Sequence, residues 1–181
     1  MTDGPGATPL PITFLGLAIA TTIYAGFETE ILPKGDLHTI GWLVLAIPVP
    51  MQFFPSVWGW IRGELAAATG SAVLGATWLA LALTSITSPA GAPGPSKAES
   101  LFLFAAAAGL VVSVATEAVD GKFVPALVLL TASVRFALTG VSGLTHAQSW
   151  ATAAGVTGFA LAGVAFSGAF LLELRSALSR R

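Results

Sequence analysis

Cysteine is absent from this 181-residue chain, which removes disulfides, thiolate metal sites and cysteine nucleophiles together. Charge is scarce. Asp, Glu, Lys and Arg make up 9% of the residues, and eight Lys plus Arg against nine Asp plus Glu leave a net charge of −1. With no basic tract to hold a phosphate backbone, nucleic acid is excluded as a partner. Histidine occurs twice, as His38 and His146 near the ends of apolar segments, so neither bis-His haem ligation nor an H-E-x-x-H zinc site can be assembled within the membrane. Lys34, Lys97 and Lys122 all fall in turns, which leaves no mid-span lysine for a retinal Schiff base. There is no G-x-S-x-G nucleophile elbow and no carboxylate pair in mid-span. The expectation is a protein that is not an enzyme and that carries no metal or cofactor.

What the chain has is apolar length. Hydrophobic residues make up 55% of it, and the mean hydropathy is +0.83. A bilayer core of about 30 Å takes about 20 apolar helical residues. Charged residues and Pro/Gly clusters divide the sequence into six such lengths, predicted at 11–30, 40–61, 65–87, 99–119, 122–144 and 150–173. The expected fold is therefore all-α, a single six-helix transmembrane domain over residues 1–181. Uninterrupted apolar lengths argue against barrel strands, which alternate over about ten residues. Arg62-Gly63-Glu64 and Asp120-Gly121-Lys122 are such short connections that their flanking helices must be antiparallel neighbours.

Met1 to Leu10 lacks the positive region of a secretory signal, so span one is expected to be retained. Placing both termini in the cytoplasm puts Arg62, Lys122, Arg175, Arg180 and Arg181 inside against Lys34 and Lys97 outside. A cell (inner) membrane protein with cytoplasmic termini is the expectation. Trp58, Trp60 and Trp150 suit an interfacial belt or plain lipid contact. In span six, Ala154, Gly158 and Ala162 recur every four positions, as do Gly155 and Gly163 with Phe159 between them, which permits close helix contact within or between chains.

Polar residues inside the spans are few. Arg135 falls near the middle of span five, where an isolated charge costs about 2.5–3.5 kcal/mol on insertion scales. It either attracts an anion or pairs with Glu28, Glu117 or Glu173, the pairing being slightly favoured. Glu28, Glu30, Glu117 and Asp120 end their spans, where solvated helix termini are expected. Gln52 lies within span two beside Pro48, Pro50 and Pro55, which bend the helix and free backbone carbonyls. Its amide suits either an interhelical hydrogen bond or a carboxylate. Pro9 and Pro11 open span one, where a missing N–H costs little.

Several stretches match a known family in pattern. Thr8-Pro9-Leu10-Pro11-Ile12-Thr13-Phe14, followed by Gly16 and Thr21, resembles the opening of the acetate uptake transporter (succinate-acetate permease) family. Gln52, Arg62-Gly63, Thr69 and Leu74-Gly75-Ala76-Thr77-Trp78-Leu79 resemble that family's join of spans two and three. Leu130-Thr131 with Gly140 resembles its span five. The resemblance implies a homohexameric ring of six-helix protomers, each with its own path for small monocarboxylates such as acetate, and succinate in some members. It implies substrate binding at Thr8, Pro9, Pro11 and Gln52, and an apolar constriction at Leu17, Leu74 and Leu130. Two of those three positions depart from the family's Phe and Tyr, so both rings and a hydroxyl are lost, although leucine also dewets a narrow pore. Thr8 replaces an Asn, and Arg135 is additional. Two rival readings stay open: a neutral-solute channel of the urea or amide kind, and a membrane scaffold subunit that transports nothing and uses Arg135 as a docking charge.

Overall fold

The computed structural model describes residues 8–89 and 94–178. Residues 90–93 of the long connection, and the basic pair Arg180 and Arg181, lie outside the described residues. Among the described residues the fold is all-α. The helices are α1 (Leu10–Glu28), α2 (Leu37–Ala46), α3 (Pro48–Arg62), α4 (Leu65–Thr87), α5 (Lys97–Val119), α6 (Phe123–Thr145) and α7 (Gln148–Leu178). A 3-10 turn at Lys34–Asp36 leads into α2. Taking α2 with α3, six helical lengths are long and apolar enough to cross a membrane.

The turns follow from local chemistry. Pro9 caps α1 and Pro11 sits in its first turn, where neither removes a needed hydrogen bond. Gly63 ends α3 at φ 74°, and Gly121 holds the α5–α6 turn at φ 71°, a conformation that suits residues without a Cβ. Ser96 and Glu99 form a reciprocal capping box at the start of α5. In span two the sequence predicts a bend, and the structure places it at Ile47, with α2 ending at Ala46 and a new helix starting at Pro48. Pro48 lacks the N–H that would continue the α2 ladder. Pro55, by contrast, lies inside α3.

The helices close into a ring. α1 packs on α7, α7 on α6, α6 on α5, α5 on α4, α4 on α2 and α3, and α3 on α1. α1 and α4 run parallel across the middle and meet through side chains: Thr13 with Ser71, then Tyr24 with Trp78 and Ser85. The core between them holds Phe14, Leu17, Leu74, Leu103, Leu110, Phe136 and Leu161, all fully buried. The small residues of α7 face α1 and α6 at close range. A Cβ at Gly155 would stand 2.6 Å from Thr29 Cγ2, and one at Gly158 2.8 Å from Arg135 Nε. Gly163 faces open space, so only part of that stripe is used within the chain.

Candidate functional site

Three levels stack along the middle of the ring. At the end where α1 finishes, a vestibule with room for about 110 Å³ of water opens between Tyr24, Glu28, Lys34, Ser85, Arg135 and Thr139. Arg135 is 1% exposed, and its Nη2 donates to Glu28 Oε2 at 3.0 Å. The Thr139 hydroxyl donates to Glu28 Oε1 at 2.9 Å. Of the three carboxylates that the sequence offered as partners, the structure pairs Arg135 with Glu28. The guanidinium lies 5.5 Å over the Trp78 ring, which also stacks on Tyr24 at 5.7 Å and meets Phe136 edge-on at 5.6 Å. The Tyr24 hydroxyl shares a 2.9 Å hydrogen bond with Ser85. Trp78 Nε1, buried in this cluster, has no partner.

The middle level is apolar. Leu17 and Leu74 lie between the Thr13–Ser71 pair and the Tyr24–Trp78 stack on the same two helices, and both are fully buried. Leu130 does not join them. It is 45% exposed on the outer face of α6, while Leu129, one position earlier, is buried with a δ-methyl reaching towards Gly70. One residue turns a helix by about 100°, so a register displaced by one moves the side chain from the ring's interior to its surface.

The third level is polar and only partly paired. Gln52 is fully buried and donates from Nε2 to the Thr13 carbonyl at 2.9 Å, but its Oε1 has no partner. Gly16 and Gly75 make room for it, since a Cβ at Gly16 would stand 3.2 Å from Gln52 Nε2 and one at Gly75 3.1 Å from Gln52 Cβ. The Ser113 hydroxyl is likewise buried without a partner. One helical turn on, Glu117 is 0% exposed, with neither oxygen hydrogen-bonded and Lys122 Nζ 3.7 Å away. Lys122 lies outside the spans. Burial works against its charge, but Glu117 and Asp120 outweigh that and hold the ammonium above its ordinary pKa.

Thr8, Pro9 and Pro11 sit apart from Gln52. The Thr8 hydroxyl donates to Glu64 Oε2 at 3.0 Å, tying the start of α1 to the α3–α4 turn, where Arg62 also reaches Glu64 at 3.5 Å. Pro9 and Pro11 are buried in the first turn of α1. The expected solvated termini divide in the structure: Glu30 and Asp120 are exposed, whereas Glu117 is buried and the Glu28 side chain is only 10% exposed. The periodicity carried that distinction. Glu117 falls on the face of Leu103, Leu110 and Ser113, and Glu28 on the face of Thr21 and Tyr24, at spacings of three, four and seven. Glu173, the remaining candidate partner of Arg135, is exposed on α7.

No family model and no curated protein matches the sequence. The fold, however, is similar to the solved structure of the bacterial acetate channel SatP, with a TM-score of 0.80 over 96% of each chain. Sequence identity across that match is 17%, so the likeness is one of backbone architecture. The chain is a multi-pass membrane protein of this six-helix fold.

Proposed function

We propose that the chain is a channel or secondary transporter for small monocarboxylates such as acetate, with a separate path through the middle of each six-helix ring. The observation that carries this reading is the line of buried polar atoms without partners on both sides of an apolar neck. Trp78 Nε1 lies one turn beyond Leu74; Gln52, whose Oε1 is free, lies beside the neck between Gly16 and Gly75; Ser113 Oγ and Glu117 follow on α5 towards the opposite end. Each such group costs about 1–3 kcal/mol when left dry. Four of them distributed above, beside and below the neck make sense as stations for water and a small polar solute. The match in fold to an acetate channel supports the substrate class. Leu129, buried against Gly70 one turn from Leu74, is the residue of α6 to which we assign the third position of the neck.

The path has no need of neighbouring protomers, and we assign the hexameric ring to the protein as part of this reading. The lipid- or partner-facing Gly163 and the exposed apolar faces of α1 and α7 support close packing between copies. The uneven split of basic residues between the two sides supports cytoplasmic termini in the inner membrane, with the vestibule facing out. Gln52 is the polar contact for the substrate on the cytoplasmic side of the neck, while Thr8, Pro9 and Pro11 shape the mouth there. The test is a solute panel in proteoliposomes. Acetate should enter much faster than into protein-free vesicles, and urea should not; urea entry without acetate entry favours a neutral-solute channel instead.

A further inference from the structure

We infer that Arg135 and Thr139 form a binding site for the carboxylate of a small monocarboxylic acid, and that Glu28 occupies this site as an internal competitor. The inference rests on the transport reading and deepens it, because it names the residue that meets the substrate in the vestibule. Glu28 makes one contact with the guanidinium, through Nη2, and one with the Thr139 hydroxyl. Guanidinium carries five N–H donors in a fork that matches a carboxylate two-by-two, and Arg135 Nε is among the buried atoms with no partner. The arginine is therefore under-used by the group that holds it.

Glu28 is also poorly anchored for a permanent partner. It is the last residue of α1, where the carbonyl end of the helix repels a carboxylate, and the chain turns at once through Glu30 at φ 61°. Its side chain keeps 10% exposure while that of Arg135 keeps 1%. Rotation of Glu28 thus reaches the vestibule water, but leaves behind a buried cation that needs another carboxylate. The other charges facing the vestibule are Glu30, Glu99 and Lys34. Glu99 is held away by its bond from the Ser96 N–H at 2.7 Å, and Glu30 is exposed, so neither replaces Glu28. Trp78 covers one side of the guanidinium, its ring centroid 5.5 Å from Cζ, so an incoming carboxylate approaches from elsewhere. Binding then becomes an exchange of one carboxylate for another, with no net charge added to the interior.

The experiment titrates the purified full chain in detergent with 13C-acetate and, separately, with acetamide, the neutral isostere, followed by NMR. The wild type should bind acetate in preference to acetamide. If Glu28 holds the site nine-tenths of the time, Glu28→Gln should tighten acetate binding by about tenfold. The double variant Glu28→Gln/Arg135→Gln, which removes both charges together, should bind neither. Should Glu28→Gln fail to fold, Glu28→Asp, whose shorter carboxylate reaches Arg135 less well, should also bind acetate more tightly than the wild type. Unchanged or weaker acetate binding in the folded single variant, or wild-type binding in the double variant, overturns the inference. Acetate flux through the wild-type protein in vesicles separates the two failures: flux with an indifferent Arg135 removes this site alone, and no flux above empty vesicles removes the transport reading.

Discussion

The two ends of the ring treat a buried carboxylate in opposite ways. Glu28, at the end of α1, is matched by a buried arginine and a threonine hydroxyl. Glu117, near the end of α5, has no hydrogen bond, and its nearest cation is a half-exposed lysine at 3.7 Å. Both sit near a helix C-terminus, so the helix dipole opposes each. The difference lies in what faces them. α6 presents Arg135 and Thr139, one turn apart, to Glu28 of α1, whereas α5 near Glu117 faces Gly70 through Ser113 and receives its cation from the Lys122 turn. One end matches its carboxylate with two donors; the other leaves its carboxylate without a hydrogen bond.

That contrast is sharpest in stability. Arg135→Gln should leave Glu28 without its cation and lower stability by about 3–5 kcal/mol, whereas removing both charges with Glu28→Gln should recover most of the loss. Thermal unfolding of the purified protein reads both. Glu117→Gln at the opposite end should cost about 1 kcal/mol at most, because it removes a charge held only by a part-exposed ion pair. Equal losses for Arg135→Gln and Glu117→Gln would erase the distinction between the ends. An effect between those of Arg135→Gln and Glu117→Gln is expected where α7 clears space for Arg135. Gly158→Leu should destabilise by about 1–3 kcal/mol through overpacking, and Gly163→Leu, facing open space, by about 0.5 kcal/mol or less. Tyr24→Phe keeps the stack on Trp78 but removes the hydroxyl bonded to Ser85, a loss of about 1 kcal/mol at the vestibule end.

The helical lengths were legible because nothing in the chain competes with them: apolar runs of about twenty residues interrupted by Pro, Gly and charge have one solution in a bilayer. The burial of Arg135 was equally legible from its depth in span five. Its partner was not, since Glu28, Glu117 and Glu173 all lie near span ends and only the packing of α1 and α6 on α7 selects among them. Glu117 was misread as a solvated terminus because its position at the end of α5 outweighed its register with Leu110 and Ser113. Leu130 shows the limit of matching short motifs. A Leu-Leu pair at 129 and 130 fits the pattern either way, and the rotation of α6 decides which leucine points inward. Tyr24, the chain's single tyrosine, gave no local sign of its role, because its contacts with Trp78 and Ser85 come from residues more than fifty positions away.

The central claim is that solute passes between Leu17 and Leu74 inside each protomer. Acetate uptake into proteoliposomes containing the wild type, Leu74→Ala or Leu130→Ala addresses it most directly. The account predicts uptake well above protein-free vesicles for the wild type, a several-fold rise for Leu74→Ala as the neck widens, and no change for Leu130→Ala on the outer face. Uptake that responds to Leu130→Ala and ignores Leu74→Ala would contradict it.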